Sequence, residues 1–240
     1  NAFDAMIATD LALSVVYPNA GNLGGGGFLV YRLSDSSYGS LDYREKSPSS
    51  ATKNMYLDEN GNEIEGLSTS GALSIGIPGT VAGIFKVYEK YATLPLNLLF
   101  EPAIKLAENG YILTEKQANS LNYNRNTINK LNDTILLFSK KFNKGDLFIN
   151  KALGKTLRLI LKNGRDEFYR GSISKNIINY VNSRNGILRE EDFENYEAVW
   201  REPIRFNYKN LNIISMGPPS SGGIVLGQIL KMVEPYDLSS

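Results

Sequence analysis

Four groups of residues in this 240-residue chain have types and spacings suited to chemistry, and none of them contains a histidine or a cysteine. The first is the run Pro18 to Phe28, in which Gly24, Gly25, Gly26 and Gly27 are consecutive. Four residues without a Cβ allow another segment to pass very near the backbone. That describes either a tight helix-to-strand turn packed beneath another chain segment or one wall of a substrate cleft, and the two are compatible. A phosphate cradle is disfavoured. Such loops leave a strand and open a helix with G-x-G-x-x-G or G-x-x-x-x-G-K-[ST] spacing, whereas here a helical pattern comes first, a strand-like Phe28-Leu29-Val30-Tyr31 follows, and no Lys closes the run. The second group is Arg44 within Asp42-Tyr43-Arg44-Glu45. Taken alone, an Arg between two acids reads as half of a solvated ion pair worth under about 1 kcal/mol. The third, Met216-Gly217-Pro218-Pro219-Ser220-Ser221-Gly222-Gly223, follows a strand and opens a helix, which is the polarity of an anion site. Its plainer reading is structural, with Ser220 or Ser221 as an N-cap and the prolines and glycines shaping the approach. A serine nucleophile there is disfavoured by the lack of a G-x-S-x-G elbow and of a His base. The fourth, Glu190-Glu191-Asp192, resembles paired catalytic carboxylates, but acids opening a helix are expected from its dipole.

The elements that must carry these residues follow from periodicity. Residues 2 to 17 repeat apolar positions at helical spacing until Pro18, and two strands, 28 to 33 and 38 to 43, flank the polar turn Ser34-Asp35-Ser36-Ser37. Arg44 thus stands at a strand end. Residues 46 to 76 are rich in Ser, Asn, Gly and Thr and read as a long surface connection. Helices are predicted over about 80 to 91, 95 to 109, 114 to 131, 151 to 163 and 172 to 184, with a short one beginning at Glu190. Strands return at about 196 to 200, 203 to 208 and 211 to 216, before a closing helix near 221 to 234. Apolar positions of the helical middle, such as Phe85, Tyr88, Leu98 and Leu99, read as core. Strands at both ends of a helical middle predict one α+β unit whose sheet joins distant segments.

Composition narrows the chemistry further. With 42% apolar and 21% charged residues the chain can bury a sizeable core. Lys and Arg number 26 against 25 Asp and Glu, and their scatter along the chain lacks the basic stripe of a nucleic-acid binder, so no nucleic-acid partner is expected. No apolar stretch is long enough to span a bilayer. The lack of His and Cys removes disulfides, Cys/His zinc sites, thiol nucleophiles and His-based triads from these residues. It says nothing about compartment. A start at Asn1, inside a helical pattern and without Met, carries the expectation that an upstream segment, with any signal peptide, has been lost.

Taken in order, Asn1-Ala2-Phe3-Asp4-Ala5, the glycine run, Leu41-Asp42-Tyr43-Arg44-Glu45, Ile77-Pro78-Gly79-Thr80-Val81-Ala82-Gly83 and Pro218-Pro219-Ser220-Ser221-Gly222-Gly223 resemble the large-subunit portion of γ-glutamyltranspeptidase. Residues 102 to 110 and 163 to 171 also resemble it, so the likeness covers nearly the whole chain. It implies part of a four-layer αββα sandwich of the N-terminal-nucleophile hydrolase type, with a helical lobe at about 78–195. Residues 1–240 are then an incomplete large-subunit region from which the small catalytic subunit is absent.

The activity implied is γ-glutamyl acyl transfer and hydrolysis on glutathione and related γ-glutamyl amides, with an amino acid or peptide as acceptor. In that family a zymogen cuts itself and the new N-terminal Thr of the small subunit is the nucleophile, its own amino group serving as base. No position here receives that Thr or the oxyanion donors, so the chain alone is expected to be inactive. The resemblance implies one site residue, Arg44, as the group that grips the α-carboxylate of the donor. It implies neither cofactor nor metal, the small subunit of the same precursor as partner, and a periplasmic or extracellular location. The alternatives are a related acyltransferase or acylase acting on poly-γ-glutamate or β-lactam side chains, or a non-catalytic scaffold of the same fold.

Overall fold

The computed structural model describes residues 1–20, 22–132 and 137–237. In chain order the elements are α1 (Ala2–Val16), β1 (Phe28–Arg32), β2 (Tyr38–Asp42), α2 (Thr80–Tyr91), α3 (Leu96–Asn109), β3 (Tyr111–Ile112), α4 (Glu115–Tyr123) and α5 (Arg125–Leu131). They continue with β4 (Leu147–Phe148), α6 (Lys151–Asn163), α7 (Arg165–Tyr169), α8 (Ser172–Asn182), α9 (Glu190–Glu194), β5 (Val199–Arg201), β6 (Ile204–Tyr208), β7 (Leu211–Ser215) and α10 (Gly222–Val233).

Asn1 starts α1 with a capping box, its side chain accepting from the amides of Phe3 and Asp4. Asp4 is buried and reaches the connection between α2 and α3. It accepts from the Thr93 hydroxyl (2.7 Å), the Thr93 amide (3.0 Å) and the Leu94 amide (3.2 Å), and these bonds, that of the Thr93 hydroxyl foremost, hold its carboxyl well below the usual range. Ile7, Leu11 and Val15 of α1 then enter the main core with Val81, Ile84 and Val87 of α2 and with Phe100 and Ile104 of α3. Packing of α6 against α3 extends this core through Leu157 and Ile160. A smaller cluster of Leu113, Ala118, Leu121, Phe142 and Phe148 lies under the β3–β4 ribbon.

The sheet joins distant segments, as predicted. β1 and β2 form an antiparallel hairpin with Phe28 opposite Asp42, and β5 adds to β2 with Asp42 opposite Val199. The hairpin turn is held by Asp35, whose Oδ1 accepts from the amide and hydroxyl of Ser37. Among the described residues β6 and β7 pair only with each other, as do β3 and β4. Residues 46 to 76 form an irregular connection containing a 3-10 turn at Ala72–Ser74. Three expectations are corrected. Leu98, read as core, is 55% exposed, since α3 turns Leu99 inward instead. The helix predicted over 114 to 131 is two helices divided at Asn124, and the strand predicted over 196 to 200 begins only at Val199, because Tyr196 and Ala198 turn into the core instead. Among the described residues no helix is long and apolar enough to cross a membrane.

Candidate functional site

Gly24 to Gly27 all keep φ outside the left-handed region, so closeness and not backbone freedom requires them. A Cβ at Gly26 would stand 2.5 Å from the Tyr43 carbonyl oxygen and 2.8 Å from the Glu45 nitrogen. At Gly27 it would meet the Tyr43 ring at 2.9 Å. Gly27 and Tyr43 exchange two backbone hydrogen bonds of 3.2 and 3.0 Å. The Gly25 carbonyl accepts from the amides of Gly79 (2.7 Å) and Thr80 (3.0 Å) at the start of α2, and the Thr80 hydroxyl donates to the Asn22 carbonyl (3.1 Å). Gly79 and Gly83 also lie against Tyr43. The run is therefore a helix-to-strand turn packed beneath another backbone, and that backbone carries Arg44.

Arg44 lies two residues beyond the end of β2, and its main chain is held from two directions. Its amide donates to Asp42 Oδ1 (3.0 Å), and its carbonyl accepts from the Tyr196 hydroxyl (2.7 Å). Tyr196 is buried and stacks on Tyr169 with ring centroids 5.5 Å apart and planes 9° apart. Tyr169 in turn donates to the Pro78 carbonyl (2.8 Å) and accepts from the Ala82 amide (3.1 Å), tying the pair to the first turn of α2. Burial pushes both phenols well above their ordinary range, so both hydroxyls stay protonated donors.

The Arg44 side chain is exposed, and its guanidinium makes no hydrogen bond or ion pair with any described residue. The ion-pair reading open from the sequence fails for a definite reason. Asp42, 7% exposed, pairs instead with Arg201 on β5, Oδ2 to Nε at 2.8 Å. The result is a cation on a fixed backbone, five donors free to meet a planar carboxylate.

Asp10 was given no role by periodicity and is a second feature of this region. Its Oδ2 is buried without a hydrogen-bond partner among the described residues, and burial raises its pKa. It lies in a groove between α1 and β1 beside Tyr43, whose phenol is pushed up by burial and then by the charge of Asp10. The signal available in the sequence is an acid between the core positions Ile7 and Leu11 of the first helix.

The remaining candidates are structural. Asp192 accepts from the amides of Arg189 (3.0 Å) and Ser49 (2.9 Å), and Glu190 and Glu191 occupy the first turn of α9. Ser220 Oγ accepts from the Gly222 amide (3.2 Å), while Ser221, the residue before α10, makes no side-chain cap bond. Among the described residues no three His, Cys, Asp or Glu side chains gather as a metal site would require.

The fold is that of the N-terminal-nucleophile hydrolases. The chain is similar in structure to Helicobacter pylori gamma-glutamyltranspeptidase, with a TM-score of 0.95 and 44% identity, covering 100% of this chain and 70% of that one. It is similar, at TM-score 0.81 and 28% identity, to the transpeptidase enzyme CapD of Bacillus anthracis, covering 98% of this chain and 74% of that one. In sequence it is 40% identical to the glutathione hydrolase proenzyme of Escherichia coli strain K12, over 99% of this chain and 42% of that protein. The Gamma-glutamyltranspeptidase family matches residues 1–240, and the chain belongs to that family, as its motifs predict. It spans about 42% of the length of the curated relatives it matches.

Proposed function

We propose that the protein containing this chain transfers and hydrolyses γ-glutamyl groups, taking glutathione or a related γ-glutamyl amide as donor and water, an amino acid or a peptide as acceptor. Arg44 is the donor-binding residue, its guanidinium clamping the α-carboxylate through two parallel hydrogen bonds. The nucleophile is an N-terminal Thr made by self-cleavage and belongs to a small subunit beyond these residues. The observation that carries this reading is the Arg44 guanidinium, exposed and unpaired above a backbone held by Asp42 and Tyr196. Family membership supports the reaction class, and supports a periplasmic or extracellular location as well. The likeness to the transpeptidase CapD supports, as a second reading, a related acyl transfer whose donor is recognised by the same carboxylate grip.

Replacement of Arg44 in the full-length protein tests the assignment. Removing one side of a charged pair that donor binding buries costs about 2 to 5 kcal/mol, so Arg44→Ala is expected to lower kcat/KM for the donor by roughly 30-fold to several thousand-fold. Arg44→Lys keeps the charge, loses the fork and should fall between the two. Donors with and without the α-carboxylate make the decisive comparison. Wild type should prefer the carboxylate strongly and the Ala variant should lose most of that preference. A processed, folded Ala variant that keeps the full preference would remove Arg44 from the site.

A further inference from the structure

The chain's net charge of +1 conceals an uneven distribution. Residues 115–162 hold ten Lys and Arg against three Asp and Glu, so the rest of the chain is net acidic. Part of this excess surrounds the β3–β4 ribbon. Tyr111 and Phe148, an opposed pair in the ribbon, turn toward the small core, which leaves Ile112 and Leu147, the next opposed pair, facing outward at 62% and 54% exposure. Lys116 and Lys144 share one groove with Ile112, while Lys140 and Lys141 share another with Leu147. All four lysines are exposed, and none of their ammonium groups makes a hydrogen bond or ion pair with a described residue. The acids nearby are Glu115, in the first turn of α4, and Asp146, whose Oδ2 accepts from the Asn143 amide (2.7 Å).

We propose that this ribbon docks the protein peripherally on an anionic lipid surface, with Ile112 and Leu147 entering the headgroup boundary and Lys116, Lys140, Lys141 and Lys144 meeting lipid phosphates. Two adjacent apolar side chains flanked on both sides by long cationic ones match the polarity gradient of a bilayer interface, where lysine stems lie along the apolar region and their ammonium groups reach the phosphates. A soluble polyanion would be met by the lysines alone and would leave the apolar pair in water. The surface is built beside the small core and shares no residue with the Arg44 segment.

The test is sedimentation of the full-length protein with vesicles, about three-tenths anionic lipid in one set and neutral lipid alone in the other, at about 0.1 M salt. Binding to the anionic set only, lost as salt rises, is the expected result. At about 1 kcal/mol per lysine near such a surface, Lys140→Gln/Lys141→Gln should weaken binding roughly 30-fold. Ile112→Ser/Leu147→Ser, which leaves every charge in place, should weaken it by about tenfold. Turnover in solution serves as the folding control and should be unchanged in both double variants. The proposal is overturned by absence of binding, by equal binding to neutral vesicles, or by a Ser double variant that binds as wild type does. Tighter capture by a soluble polyanion than by vesicles would also overturn it.

Discussion

An arginine with an acid two positions before it and another beside it would ordinarily be neutralised locally, and Arg44 is not, because Asp42 is committed to Arg201 across the sheet. The same carboxylate accepts the Arg44 amide, so Asp42 shapes the loop while leaving the guanidinium free. Tyr196 completes the hold from the carbonyl side. The motif around Arg44 was legible in the sequence. Tyr196 was not, since it lies 152 residues away and no local pattern links a core tyrosine to a distant carbonyl. Tyr196→Phe keeps the ring stacked on Tyr169 and removes one hydrogen bond, which should cost about 1 kcal/mol of stability. If Tyr196 positions Arg44, the donor KM should also rise about fivefold with kcat nearly unchanged. Tyr169→Phe strands the Pro78 carbonyl and Ala82 amide, and should lower stability by about 1 to 3 kcal/mol with a smaller effect on KM. Thermal unfolding and donor kinetics on both variants separate the roles, and equal KM values for both variants and wild type would leave Tyr196 a purely structural residue.

Among the elements, the glycine turn does for the Arg44 segment what side chains do elsewhere, setting its distance from α2. Substitutions should therefore grade by what the added Cβ meets. At Gly26 it meets backbone atoms at 2.5 and 2.8 Å, and backbone cannot step aside as a side chain can. Gly26→Ala is expected to cost about 1 to 3 kcal/mol of stability and to lower donor kcat/KM by displacing Arg44. At Gly25 the nearest atom is the Asn22 carbonyl oxygen at 3.3 Å, so Gly25→Ala should be markedly milder in both measurements. A ranking with Gly25→Ala the worse would contradict this account of the turn. The elements also divide by how they were signalled. α2 and α6 run from Thr80 to Tyr91 and from Lys151 to Asn163, the ranges that periodicity predicts, since each has a strong apolar stripe and clear ends. α7 carries no sequence signal because five residues between Gly164 and Arg170 are too few to show a period. β3 and β4 are invisible in the sequence because two-residue strands separated by α4 and α5 carry no local alternation at all. The break at Asn124 went unread because Leu121, Ile128 and Leu131 continue an apolar spacing across it, while the asparagines around it favour local turns.

At the scale of the whole molecule, the apolar surface is unevenly covered. α1, α2, α3 and α6 enclose a continuous core, whereas α10 exposes Ile224, Val225, Leu226, Ile229 and Met232, the last at 73%. α10 rests on β6 and β7, a two-stranded ribbon with no third strand among the described residues. Such a ribbon is marginal by itself, and its unpaired edges are templates for association. An isolated 240-residue chain is therefore expected to self-associate and to bind a dye that reports apolar surface. Ile229→Lys/Met232→Glu should reduce both effects if α10 is the source. The same preparation should not turn over a chromogenic γ-glutamyl anilide. Its first residue is Asn1, and it has neither a Cys nucleophile nor a His to act as base for Ser220 or Ser221. Size-exclusion chromatography, dye binding and the anilide assay check these outcomes together. A monomer with cooperative unfolding and no dye response would show that α10 and the β6–β7 ribbon are self-sufficient, and turnover surviving removal of contaminating enzyme would show a nucleophile within these residues.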